Sequence, residues 1–392
     1  KKQLYKDTAI GTLEYVKREM LDDEGGFYSA QDADSEGVEG KYFVWTPEEI
    51  RRIVGVPDAD YFEHYYDVSD AGNFEGKNIL HVKSTVEETA GKFKIPVDEL
   101  MDSLRNSNEK LFSARENRIK PFRDEKVLTA WNGLMLAAFA EAGAILHSDD
   151  YLDVAVKNAD FLIEKLQDYG RVLRTWKDGQ AKLSGYLEDY ANLADGLFEL
   201  FQVSGDPKYL RESKRLADSM IEQFWDNDSG GFFFTANDHE ELLIRSKDFY
   251  DNATPSGNSV AVDVLVKLAK LFGDDEYERH ATSVLRLISG QMKRHAGAFG
   301  RLLSAMEFVL GSVKEIVIVG SKGSEMEREI WESYLPYRVV VPPLNKEIEP
   351  GEIPLLDEKL AIEGKTTVYV CENFTCRKPA TTLDELKEQL QI

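Results

Sequence analysis

Tyr151-Leu152-Asp153-Val154-Ala155-Val156-Lys157-Asn158-Ala159-Asp160-Phe161-Leu162-Ile163-Glu164-Lys165-Leu166 is the stretch on which the fold turns. Tyr151, Val154, Ala155, Ala159, Leu162, Ile163 and Leu166 recur at steps of three and four, the spacing of one buried helical face. Gly170 lies 19 residues beyond the tyrosine. The same unit opens at Tyr5, Tyr209 and Tyr277, with glycines at Gly25, Gly230 and Gly297, giving offsets of 20, 21 and 20. Such regular spacing marks a repeat architecture.

The last three copies are each preceded by another helical stretch. These end in His147-Ser148-Asp149-Asp150, Ser204-Gly205-Asp206-Pro207 and Gly273-Asp274-Asp275-Glu276, which are turn and N-cap residues. The repeat is therefore a helical hairpin. Its first helices (127–146, 186–203, 257–272) are apolar nearly all round, and its second helices (151–166, 208–224, 276–292) carry one stripe. That contrast predicts an inner, doubly covered layer and an outer, half-solvated one. The copy at Tyr5 has four residues before it, so its partner helix is expected upstream of Lys1.

Steps of 58 and 68 residues between the later tyrosines exceed the roughly 34 of a tight helical solenoid repeat. The excess sits in loops rich in glycine, aromatic and acid-amide residues, which predicts a toroid of hairpins, the (α/α)6 barrel, with a site on its looped rim. The expected organisation is a mainly α toroid over 1–311, incomplete at the N-terminus, with 38–126 as an irregular insertion. Thr46-Pro47-Glu48-Glu49 starts a helix in that insertion, and 97–112 is another. Residues 312–392 read as a small α/β appendage, with strands at 315–320, 338–341 and 366–370 and helices at 324–334 and 382–391.

Composition narrows the partners. A net charge of −23, from 48 basic and 71 acidic side chains, repels nucleic acid and anionic lipid alike. No stretch reaches the roughly 18 uninterrupted apolar residues of a membrane span, and the expectation is a soluble, cytoplasmic protein. Cys371 and Cys376 are too few for a disulfide framework. A reduced pair is expected, with a bond between the two as the alternative. The six histidines make no i, i+4 pair, and no HExxH, P-loop or G-x-S-x-G is present. Neither a metal nor a cofactor is expected.

Carboxylates are better supplied. Tyr186-Leu187-Glu188-Asp189-Tyr190 opens an apolar inner helix with two acids between two tyrosines. Acids there suit the helix dipole, and they also suit a sugar site, where aromatic faces stack and carboxylates bond hydroxyls or move protons. Asp189 is the leading general acid or base, with Glu188 and Tyr190 as ligand-binding neighbours. Asp251, Asn252 and Asn258 take the equivalent position on the next inner helix, beside the ready N-cap Ser256. Trp131 and Asn132 open the helix before. Asp32, Asp34 and Glu36 alternate ahead of Gly37, but Phe43 stands where a calcium loop needs a bidentate glutamate; a ligand-facing acidic loop remains.

Long motifs carry a family resemblance. Gly25-Gly26-Phe27-Tyr28-Ser29-Ala30-Gln31-Asp32-Ala33-Asp34-Ser35-Glu36-Gly37, Lys41-Tyr42-Phe43-Val44-Trp45-Thr46-Pro47-Glu48-Glu49, Gly72-Asn73-Phe74-Glu75-Gly76-Lys77-Asn78, Thr129-Ala130-Trp131-Asn132-Gly133 and Asn373-Phe374-Thr375-Cys376 occur in this order. They resemble the thioredoxin-domain-containing family of bacterial YyaL and spermatogenesis-associated protein 20. The resemblance implies a toroid like those of N-acylglucosamine 2-epimerases and six-hairpin glycosidases, and a thioredoxin-like domain as its partner, which these residues lack. It implies a carbohydrate-active scaffold, with acid/base sugar chemistry of a hydrolase or epimerase-like kind by Asp189 with Asp251 or Asp34. The alternative is a non-catalytic ligand- or protein-binding module serving the thioredoxin-like domain.

Overall fold

The computed structural model describes residues 3–240 and 243–391. The chain divides into two compact units, one of residues up to Ser29 with those from Lys126 onward, the other of Ala30–Glu125. In chain order the helices are α1 (Gln3–Glu19), then α2 (Pro47–Val54), α3 (Asp58–Tyr65), α4 (Val86–Phe93) and α5 (Val97–Arg115). The hairpins follow: α6 (Thr129–Leu146) with α7 (Asp149–Lys165), α8 (Leu187–Ser204) with α9 (Pro207–Phe224), and α10 (Gly257–Phe272) with α11 (Asp275–Arg294). The last helices are α12 (Gly300–Leu310), α13 (Glu325–Glu332) and α14 (Leu383–Leu390).

Each hairpin turns the same way. The inner helix stops on a left-handed residue, His147, Gly205 or Gly273, and the next residue, Ser148, Asp206 or Asp274, caps the outer helix with its side chain. One residue ends a helix while its neighbour satisfies the free amides of the next. The inner helices α6, α8, α10 and α12 pack side by side in that order, each outer helix lying against its own inner one. This is the (α/α) toroid arrangement, with α1 in the place of an outer helix.

The repeat tyrosines tie the outer layer together. The Tyr151 hydroxyl donates to Glu14 of α1 at 2.8 Å, Tyr209 to Asp160 of α7 at 3.1 Å, and Tyr277 to Asp218 of α9. Burial and the acidic partner raise all three phenols, Tyr151 to about 12. Of the four repeat glycines, Gly25, Gly170 and Gly230 adopt positive φ, whereas Gly297 lies in a short 3-10 turn.

Helix α6 is long and apolar enough to cross a membrane, alone among the described residues, yet Asn132 and Glu141 interrupt it and it packs as an inner helix against α7 and α8. Its backbone meets α8 closely: a Cβ at Gly133 would lie 2.4 Å from the carbonyl of Asn192. Only glycine permits that approach.

The segment after α12 is a mixed sheet. Strand β1 (Lys314–Val319) pairs parallel with β2 (Arg338–Val341) and antiparallel with β3 (Thr367–Glu372), which turns into β4 (Thr375–Cys376). Val317, Val339 and Val341 join the helical core. Cys371 and Cys376 face each other across β3 and β4 and form a disulfide. This corrects the expected reduced pair: Asn373 and Phe374 both take positive φ, at 50° and 60°, and a two-residue hairpin of that kind brings its flanking residues opposite one another.

The second unit has a core of its own around Trp45, Ile50, Phe62 and Leu100. Thr46 and Glu49 cap α2 reciprocally behind Pro47. Arg118 stacks 3.9 Å from the Trp45 ring and donates to the carbonyls of Tyr42 and Val44 at 3.0 and 2.8 Å.

Candidate functional site

The rim residues are placed by the starts of the inner helices. Asp189 is fully buried. Its carboxylate accepts from the amides of Tyr186 (2.8 Å) and Ala130 (3.0 Å) and from the Arg174 guanidinium (3.1 Å). Burial pushes this carboxyl up to about 7, against the pull of Arg174 and the two amides. Asp251 accepts from the amides of Ser256 (2.9 Å) and Arg301 (2.8 Å). Both acids are thus committed to helix starts, and the arrangement does not offer them as a facing catalytic pair.

Asn132 and Asn258 play one part twice. Asn132 clamps the backbone of Phe27, accepting at 2.7 Å and donating at 2.9 Å. Asn258 does the same to Phe232 at 2.8 and 2.9 Å. Each holds a Gly-Gly-Phe loop against an inner helix, and both are buried. Tyr190 is buried with its hydroxyl accepting from Val172 N–H, so neither it nor the two asparagines offers a ligand surface.

Glu188 pairs with Arg174 at 2.9 Å, and that guanidinium lies over the Tyr186 ring. The exposed Asn252 lies in the loop before Ser256, and Trp131, 45% exposed, opens α6. Asp32, Asp34 and Glu36 are exposed in the second unit; Asp32 accepts from the Asp34 amide, and Glu36 pairs with Lys41 at 2.7 Å.

A second constellation escaped the sequence reading. Facing positions on α6, α8, α10 and α12, with Arg338 of β2, line a lumen of about 340 Å³ with Glu141, Glu199, Gln202, Asp263, Lys267 and Arg301. Lys267 contacts Asp195 (3.0 Å), Glu199 (2.7 Å) and Asp263 (3.0 Å). Arg301 reaches Asp195 at 2.7 Å and also Asp263. Gln202 donates to Glu199 at 2.6 Å and accepts from the Val340 amide at 2.8 Å, which anchors β2 to the wall.

The electrostatics follow. Burial alone would lower Lys267, but Asp195, Asp263 and Glu199 hold it well above its ordinary range. Burial would raise Asp195, but Arg301 and Lys267 overcome it and keep that carboxyl low. Glu141 differs: it forms no hydrogen bond or ion pair among the described residues. Desolvation by neighbouring groups, then repulsion from Glu199, push it up to about 7, although the residue itself is exposed to solvent. Arg338 also lacks a carboxylate at ion-pair distance, donating instead to the Leu335 carbonyl at 2.8 Å. Burial holds its guanidinium below the usual range.

A signal for this lumen was present. Asp195 and Glu199 on α8, Asp263 and Lys267 on α10, and Glu141 on α6 are ionisable residues inside helices that are otherwise apolar. Asp195, Glu199 and Asp263 are buried, and such residues are seldom buried without partners or purpose. The spacing of four in each pair, 195/199 and 263/267, marks one face of α8 and one of α10.

No family model matches the chain. It is 32% identical to human spermatogenesis-associated protein 20 over 99% of its own length and 55% of that protein's. It is 29% identical to an uncharacterised protein of Caenorhabditis elegans, over 93% of this chain and 54% of that one. The chain thus spans about half the length of the curated relatives it matches. Among solved structures, cellobiose 2-epimerase from Bacillus thermoamylovorans aligns with a TM-score of 0.38 at 11% identity, over 72% of both chains. A family 76 glycoside hydrolase from a bovine Bacteroides thetaiotaomicron strain aligns with a TM-score of 0.39 at 12% identity, over 72% of this chain and 55% of that one.

Proposed function

This chain is a homologue of spermatogenesis-associated protein 20 along its whole length, and from that premise we propose that its lumen binds a sugar-like ligand on which Glu141 gives and takes a proton. The observation that carries the reading is the state of Glu141. It is a lone carboxyl open to a polar cavity, next to carboxylates that Lys267 and Arg301 hold in place. A carboxyl raised from 4.5 to about 7 is suited to proton transfer near neutrality. Asp195 and Asp263 stay paired with the two cations and supply fixed negative charge. A hydroxyl-rich ligand suits walls that offer both donors and acceptors. Asp189 and Asp251 act from behind, setting the starts of α8 and α12.

The test is a thermal-shift screen of neutral, amino and acidic mono- and oligosaccharides on the wild type, Glu141→Gln and Asp189→Asn. A ligand at a hundred times its dissociation constant adds about 2.7 kcal/mol. The expected result is a sugar-dependent shift that Glu141→Gln weakens and Asp189→Asn keeps. Loss of the shift in Asp189→Asn alone would return the site to the rim. Turnover of the bound sugar, followed by NMR, separates proton transfer from binding alone.

A further inference from the structure

The wall of the lumen is built from two unlike parts. Glu141, Glu199 and Lys267 stand in the C-terminal halves of α6, α8 and α10, away from the rim loops that precede those helices, and with Asp263 and Arg301 they make its charged side. The other part comes from the segment after the toroid. Tyr334, Leu335, Pro336 and Tyr337, in the turn between α13 and β2, line the same cavity. That turn is fixed at three points. The Leu335 carbonyl accepts from Arg338 at 2.8 Å, the Tyr337 carbonyl accepts from the Lys314 amide at 2.8 Å, and the Tyr337 hydroxyl donates to Glu307 of α12 at 2.8 Å. Two further bonds hold β2 and the loop after it to the end of α8, from the Val340 amide to Gln202 at 2.8 Å and from the Asn345 amide to the Gly205 carbonyl at 3.0 Å. The α/β appendage is therefore part of the cavity wall.

On this fixed turn Tyr334 is 89% exposed. A lone aromatic on a surface is ordinary, but this ring borders a polar cavity, on backbone that other groups keep still, and an uncovered ring forgoes the gain of burying a large apolar face. A charged wall beside a bare aromatic suits a molecule with hydroxyls around its edge and C–H bonds on its face, which describes a sugar ring. An open-chain polyol has the hydroxyls without the face. Resting on the sugar-binding reading above, we propose that the ligand of this lumen is a cyclic sugar whose C–H face stacks on Tyr334, so that the appendage, not the rim loops, sets which sugars are accepted. The hydroxyls of the ring meet the charged side, and Tyr334 binds without moving a proton.

Ligand-observed NMR titrations of the full chain with glucose, cellobiose and sorbitol test this, on the wild type, Tyr334→Ala and Tyr334→Phe. The wild type is expected to bind both ring sugars about five-fold or more tighter than sorbitol. Tyr334→Ala should lose that preference and leave sorbitol binding unchanged, whereas Tyr334→Phe should keep it, because the ring face and not the hydroxyl makes the contact. At 89% exposure neither substitution should move the melting temperature, so a folding defect would not produce this pattern. Equal binding of ring and open-chain ligands by the wild type would overturn the stacking inference and leave the sugar lumen standing. A ring preference that survives in Tyr334→Ala would do the same, as would a Tyr334→Phe variant as weak as Tyr334→Ala. Binding of none of the three to the wild type would overturn both.

Discussion

The starts of the inner helices and their middles contain the same residue types in opposite states. At the rim, Asp189, Asp251, Asn132 and Asn258 have their polar atoms matched to backbone amides and carbonyls. In the lumen, Asp195, Glu199 and Asp263 are matched to cations, and Glu141 has no hydrogen bond or ion pair among the described residues. Satisfied polar groups build a wall, and an unsatisfied one beside a cavity is available for a ligand. Acids at a helix start look functional in a sequence because the type of residue is visible and its partner is not.

The comparison breaks most visibly at Lys267. Lys267→Met leaves three carboxylates together in the interior, and removal of one member of a buried ionic group costs about 3–5 kcal/mol. Urea unfolding at neutral pH measures it; wild-type stability would mean that the lumen wall is not held by charge. Next comes Asn258→Ala, which strands both backbone groups of Phe232 and should cost about 3 kcal/mol without altering sugar binding. Altered binding at wild-type stability would make the rim a ligand surface after all.

Asp189→Asn keeps the size of the cap and loses its charge toward Arg174, for an expected cost of about 1–2 kcal/mol. Hydrogen exchange should show the loss concentrated at the start of α8; a uniform loss would contradict a local capping role. The smallest effect concerns pH. Glu141 is raised from 4.5 to about 7, so the native state holds its proton more tightly than the unfolded chain. Its contribution is fully present below pH 4.5 and is lost as pH rises through about 7. Glu199 and Asp195 strengthen this effect, while Lys267 and Arg338 oppose it. With solvent reaching the carboxyl, the wild type should lose about 1 kcal/mol relative to Glu141→Gln between pH 5 and 7.5. Parallel denaturation curves at the two pH values check the sign, and an opposite sign would mean that Glu141 is ion-paired.

The hairpins were legible because their signals are local. Ser148, Asp206-Pro207 and Asp274 cap helices through residues two or three positions away, and a periodic stripe needs no knowledge of its neighbour. The break in spacing predicted an insertion over 38–126; the compactness of Ala30–Glu125 depends on contacts such as those of Arg118 with Trp45 and Val44. The candidate site was harder. Asn132 and Asn258 look like spare polar groups until the loops they clamp, 105 and 26 residues away in sequence, are in place. Glu141 and Lys267 each belong to a different helix, so their shared cavity exists only after α6, α8 and α10 have packed.

The tyrosine contacts of the outer layer make the protein its own gauge. Each of Tyr151, Tyr209 and Tyr277 marks one junction between successive outer helices, and each resists ionising while that junction is closed. A phenol released by an opened junction returns to its ordinary range of about 10 and becomes a coloured phenolate at moderately alkaline pH. Because the chain has 17 tyrosines, the difference between absorbance titrations of the wild type and of its Tyr151→Phe, Tyr209→Phe or Tyr277→Phe variant reads each junction in turn, without a label and without unfolding the chain.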